Sequence, residues 1–123
     1  MNRARPVNLN LMTIRFPIPA IVSILHRISG AILFLFIPVI IWTLDLSLTQ
    51  DGFDALHDWS SSVFLKLVIW GVLAAFLYHL TAGIRHLLSD IHIGSTLRGG
   101  RLSAQLTFII SIILIILAGI WLW

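Results

Sequence analysis

The chain is 123 residues long, 59% hydrophobic and only 11% charged. A soluble domain carries about 25% charged residues to face water, whereas this chain has eight bases, five aspartates and no glutamate. Those figures exclude a water-soluble globule and a disordered chain, and leave a small integral membrane protein of one domain, residues 1–123. The absence of cysteine removes disulfides, thiolate zinc sites, iron–sulfur ligation and C-x-x-C-H haem attachment, so any haem held here is non-covalent and histidine-ligated. The net charge of +3 comes from bases that flank apolar segments, without the basic, aromatic-interleaved patch of a nucleic-acid binder.

Three apolar stretches, at about residues 17–44, 61–88 and 102–123, each reach the ~20 residues that a helix needs to cross ~30 Å of hydrocarbon. They predict an all-α protein with three transmembrane helices. Pro17 and Pro19 suit the first turn of the first helix, and Pro38 is expected to kink it. Asp58 and Ser60-Ser61-Ser62 are N-cap candidates for the second. Gly94 and Gly99-Gly100 mark the turn into the third, the one span without a charge. Trp42, Trp59, Trp121 and Trp123 fall at the span ends, as an interfacial aromatic belt requires.

Arg3, Arg5 and Arg15 precede the first span, and Arg98 and Arg101 precede the third. The first loop holds Asp45, Asp51, Asp54 and Asp58 and no base. The positive-inside rule therefore puts the N-terminus in the cytoplasm and the C-terminus in the periplasm. The first span is too long for a cleavable signal, and no Arg- and Ser-rich transit peptide precedes it, so a multi-pass protein of the bacterial inner membrane is expected.

Ionisable residues inside a span are costly and mark function by default. His26 lies eleven residues after Arg15, and His79 eleven residues before Asp90, on helices of opposite direction. Both thus reach roughly 16 Å from the same membrane face. His79, Gly83 and His86 share one helix face. An imidazole followed one turn later by glycine suits a flat macrocycle, with Arg85 and His86 available to propionates. The same position equally suits a packing histidine hydrogen-bonded to a neighbouring helix. Ser23, Arg27 and Gly30 share a face of the first span. A hydroxyl with a guanidinium suits a quinone, and a guanidinium alone also suits snorkelling to lipid headgroups. Snorkelling explains Lys66, while His57, His92 and the loop aspartates read as solvated.

The motifs Arg5-Pro6-Val7-Asn8-Leu9, Ser23-x-x-His26-Arg27-x-Ser29-Gly30 and Tyr78-His79-x-x-x-Gly83-Ile84-Arg85-His86-x-x-x-Asp90 together resemble the larger membrane-anchor subunit of succinate dehydrogenase, the cytochrome b556 chain of respiratory complex II. The resemblance covers nearly the whole chain and is closest to the ubiquinone-linked branch. It implies a subunit that catalyses nothing alone and helps carry electrons from succinate oxidation to quinone. His79 would be one axial ligand of haem b and so the metal-binding residue. The smaller sister anchor subunit would supply the other ligand and complete the helical bundle. Ser23 and Arg27 would bind ubiquinone, and His26 and Arg27 would lie near the haem propionates. FAD and iron–sulfur clusters would reside only in the flavoprotein and iron–sulfur partner subunits. Ser89 departs from the large side chain usual before the aspartate, which implies altered packing there. Rival readings are a fumarate reductase anchor, a small transporter using His26, His79 and His86 as a proton relay, and a purely structural helical anchor.

Overall fold

A computed structural model describes residues 9, 10 and 12–123; Arg3, Arg5 and the Pro6-Val7-Asn8 part of the first motif lie outside the described residues. Four helices follow one another: α1 (Ile18–Ser47), α2 (Gln50–Ser60), α3 (Val63–Asp90) and α4 (Leu97–Leu122). The three long ones, α1, α3 and α4, are each long and apolar enough to cross a membrane. At 1.5 Å per residue they extend roughly 39–45 Å, more than the ~30 Å of a hydrocarbon core, so their ends protrude into the interfaces.

Local chemistry sets the ends of α1. Pro17, in extended conformation, stands at the N-cap, with a proline again in the first turn, where the missing N–H breaks no helical bond. The helix runs on through Pro38, which lacks the N–H that would otherwise bond the Phe34 carbonyl.

The short helix α2 falls where a solvated loop was expected. Thr49 caps it, its hydroxyl accepting from the Gly52 N–H at 3.2 Å, and any side chain at Gly52 would run into the Leu46 carbonyl of α1. Asp51, Asp54 and Asp58 alternate on it with Phe53, Leu56 and Trp59, the pattern of a helix lying in an interface. Trp59 stacks on Trp42 of α1 with ring centroids 6.2 Å apart. His57 is therefore an exposed helical residue and not part of a loop. Ser62 caps α3 by position, without a side-chain hydrogen bond.

The third span begins at Leu97, five residues before the expected 102, and Gly99-Gly100 are helical, not a turn. The reversal is made instead by His92 and Gly94, which have φ of +66° and +76°. Thr96 caps α4 by accepting from the Gly99 N–H at 3.0 Å. A Cβ at Gly99 would sit 3.0 Å from the Gly94 backbone, so the glycine lets the first turn of α4 press against the reversal.

Helix α3 packs most extensively on α4, next on α1, and α1 touches α4 less. The buried core is small: Val22, Ala82 and Ala104, flanked by Ile18, Tyr78 and Phe108. Ser29, Thr107 and Ser111 are also buried. Small residues bring the backbones close, and short polar bonds join them, as in lipid-embedded bundles. Tyr78 donates to the Val22 carbonyl (3.0 Å), Trp70 donates to the Ile115 carbonyl (2.9 Å), and the Thr81 and Ser111 hydroxyls bond each other. Large side chains point outward, among them Phe34 and Leu35, both 71% exposed. Such an apolar surface belongs against lipid or other helices, not water. At the end of the bundle that carries α2, the Lys66 ammonium lies 5.7 Å from the Trp123 ring, within cation–π range.

Candidate functional site

The site forms where antiparallel α1 and α3 cross. His26 and His79 stack with centroids 4.0 Å apart and planes 10° from parallel. His86 flanks His26 at 5.0 Å, tilted by 48°. The two histidines expected at equal depth are thus in ring contact, and the two expected on one face of α3 both border His26.

Backbone and hydroxyl groups of α1 hold the His79 ring. Its Nδ1 lies 3.0 Å from the His26 carbonyl oxygen and 3.1 Å from Ser29 Oγ. Ser29 in turn donates its own proton to the His26 carbonyl at 2.8 Å. A carbonyl oxygen can only accept, so His79 Nδ1 at 3.0 Å must carry the proton; an unprotonated nitrogen would set two lone pairs against each other. The Nδ1–H therefore donates to the His26 carbonyl, with Ser29 Oγ as a second acceptor. Donation through Nδ1 is the arrangement in which an imidazole binds a metal through Nε2.

Glycines shape the same crossing. A Cβ at Gly30 would stand 2.9 Å from His79 Cε1, so only glycine lets this ring lie against α1. A Cβ at Gly83 would meet His26 Nε2 at 3.4 Å, so the groove expected beside a macrocycle borders the His26 ring. The residues fit a His-ligated haem: an imidazole oriented through Nδ1, a small-residue cleft and further imidazoles beside it. Among the described residues, no three His, Cys or acidic side chains gather into a metal-ion site.

The other site candidates lie apart from this cluster. Ser23 is half-buried and Arg27 exposed, and neither has a hydrogen-bond partner among the described residues. Arg27 stands nine residues into α1, about 14 Å from the helix start. A guanidinium at that depth is costly unless it is paired or snorkels to the interface. Arg85, considered for propionates, is committed to α4: its Nε donates to Ser103 Oγ at 3.1 Å, and a terminal nitrogen lies 3.5 Å from the Gly100 carbonyl. A groove of about 300 Å³ opens beside it between α3 and α4, and Ser89, whose small side chain bonds back to the Arg85 carbonyl at 3.0 Å, forms part of its wall. Sequence reading gave Ser29 no role, and nothing in its helical position announces a partner fifty residues away.

The fold and site define an all-α transmembrane protein in which two antiparallel spans bring two imidazoles into ring contact and hold one of them by hydrogen bonds to the facing helix. Residues 1–118 match the family of succinate dehydrogenase/fumarate reductase transmembrane subunits, and the chain belongs to that family. It is similar to the succinate dehydrogenase cytochrome b556 subunit of Coxiella burnetii, 44% identical over 125 residues that cover 100% of both chains. The subunit of the same name from Paracoccus denitrificans is 36% identical over 92% of this chain and 88% of its own. That from Rickettsia felis is 30% identical over 92% and 89%.

Proposed function

We propose that the chain is the larger, haem-binding anchor subunit of a bacterial inner-membrane succinate:ubiquinone oxidoreductase, with its N-terminus in the cytoplasm. The observation that carries this reading is the His79 imidazole, fixed through Nδ1–H on the His26 carbonyl at 3.0 Å with Nε2 left to bind. In this reading His79 would hold the iron of haem b, and the smaller anchor subunit would supply the other ligand. Haem, when bound, supplies a one-electron store beside the path to quinone.

The remaining chemistry belongs to the chain's own side chains. The FAD of the flavoprotein partner would take two electrons from succinate, releasing fumarate, and the iron–sulfur partner would deliver them to ubiquinone, which takes up two protons to become the quinol. Ser23 donates its hydroxyl proton as a hydrogen bond to a quinone carbonyl. Arg27, exposed and without a hydrogen-bond partner among the described residues, stabilises the negative charge that gathers on the quinone oxygens as electrons arrive. With His26 it would also be available to the haem propionates. A guanidinium already in place costs no reorganisation when charge develops, and removing one such donor typically slows turnover by about 10²–10³-fold.

The test is Arg27→Ala in the whole complex, purified in detergent through a tag on this chain. The expected result is co-purification of flavoprotein and iron–sulfur subunits, a quinone reduction rate reduced by about 10²-fold, and undiminished succinate oxidation by a soluble artificial acceptor. Equal loss of both activities would mean failed assembly and would remove Arg27 from the quinone site.

A further inference from the structure

We propose that Ser29 acts on the haem iron through His79: as second acceptor beside the His26 carbonyl for the Nδ1–H, it sets the donor strength of that imidazole. The inference rests on the reading of His79 as axial ligand and adds a residue that acts through it. Three distances close a triangle: Ser29 Oγ to the His26 carbonyl, 2.8 Å, His79 Nδ1 to that carbonyl, 3.0 Å, and His79 Nδ1 to Ser29 Oγ, 3.1 Å. Ser29 is 5% exposed, so water does not compete at its hydroxyl. Because its proton goes to the carbonyl, its lone pairs face the His79 N–H.

Two acceptors on one N–H draw the proton away from the ring and make the opposite nitrogen a stronger donor to iron. Stronger donation favours the ferric state and lowers the reduction potential, one of the levers by which a protein tunes haem. The backbone carbonyl cannot be removed by a side-chain change, so Ser29 is the adjustable member of the pair. The stack of His26 on one face of His79 and the contact at Gly30 on its edge hold the plane of the ring. Donor strength, and not gross placement, is therefore what the hydroxyl controls.

The test is a redox titration of the haem in intact complexes carrying Ser29→Ala, Ser29→Thr or His79→Ala. Ser29→Ala should keep haem but shift its midpoint potential positive, and Ser29→Thr, which restores the oxygen, should return it toward the wild-type value. A Ser29→Ala complex titrating at the wild-type potential overturns the proposal, as does a Ser29→Thr complex shifted as far as Ser29→Ala. If Ser29→Ala fails to assemble, Ser29→Cys, a weaker acceptor of similar size, must show the same positive shift, and its absence overturns the proposal. A wild-type spectrum and potential in His79→Ala would instead overturn the ligand reading itself.

Discussion

Gly30 sets the distance between α1 and the His79 ring, and replacing it with alanine puts a Cβ into that gap. The new Cβ would lie 2.9 Å from Cε1, where ordinary contact begins at 3.4 Å, so the ring or the helix must yield by about half an ångström. The ring is rigid, and moving Cε1 moves the adjacent Nδ1, whose bonds of 3.0 and 3.1 Å stretch toward the limit of hydrogen bonding. Overpacking of this kind costs about 1–3 kcal/mol. If all of it falls on the imidazole, haem binding weakens by roughly 5- to 140-fold, at tenfold per 1.4 kcal/mol. If the helices part instead, the complex unfolds at lower temperature. The assay is haem per complex together with thermal unfolding in detergent. Gly71→Ala is the matched control: nothing lies within 4 Å of its Cβ, and alanine is favoured over glycine in a helix by about 0.8–1.0 kcal/mol. Wild-type haem content and stability in Gly30→Ala would refute the close approach of α1 to His79.

Other perturbations read separate parts of the account. Thr96→Ala removes the one side-chain cap of a helix that opens with two glycines in its first turn; a loss of about 1 kcal/mol should appear as a lower thermal midpoint, and an unchanged one would mean the cap contributes nothing. Trp70→Phe deletes the indole donor to the Ile115 carbonyl between α3 and α4; interhelical bonds in membranes average about 0.6 kcal/mol and reach about 1.7. A small fall in midpoint is therefore expected, and no fall would remove this bond from the helix contact. Arg27→Ala should separate quinone reduction from succinate oxidation, as set out above.

The three spans were legible because a predominantly apolar run of this length has few places other than a membrane. The contact of His26 with His79 was legible as depth, since both count eleven residues from charged markers on antiparallel helices. Helix α2 was not: eleven residues with aspartates between aromatics average out to no hydropathy signal, and its order comes from Thr49, Gly52 and the Trp42 stack. Gly99-Gly100 read as a turn because glycine allows positive φ, yet that conformation falls to His92 and Gly94. The later glycines serve instead to let α4 approach the reversal. Ser29 escaped for a related reason. Its partner lies on another helix, and helical periodicity reports which face a residue occupies, not what lies opposite.

The central claim, that His79 presents its Nε2 to haem iron, is tested most directly by the dithionite-reduced minus oxidised visible spectrum of the complex purified through this chain, wild type beside His79→Ala. The account predicts a sharp b-type α band in the wild type that is lost or altered in His79→Ala and retained in His86→Ala. The same band in wild type and His79→Ala, or no band in either, would contradict it.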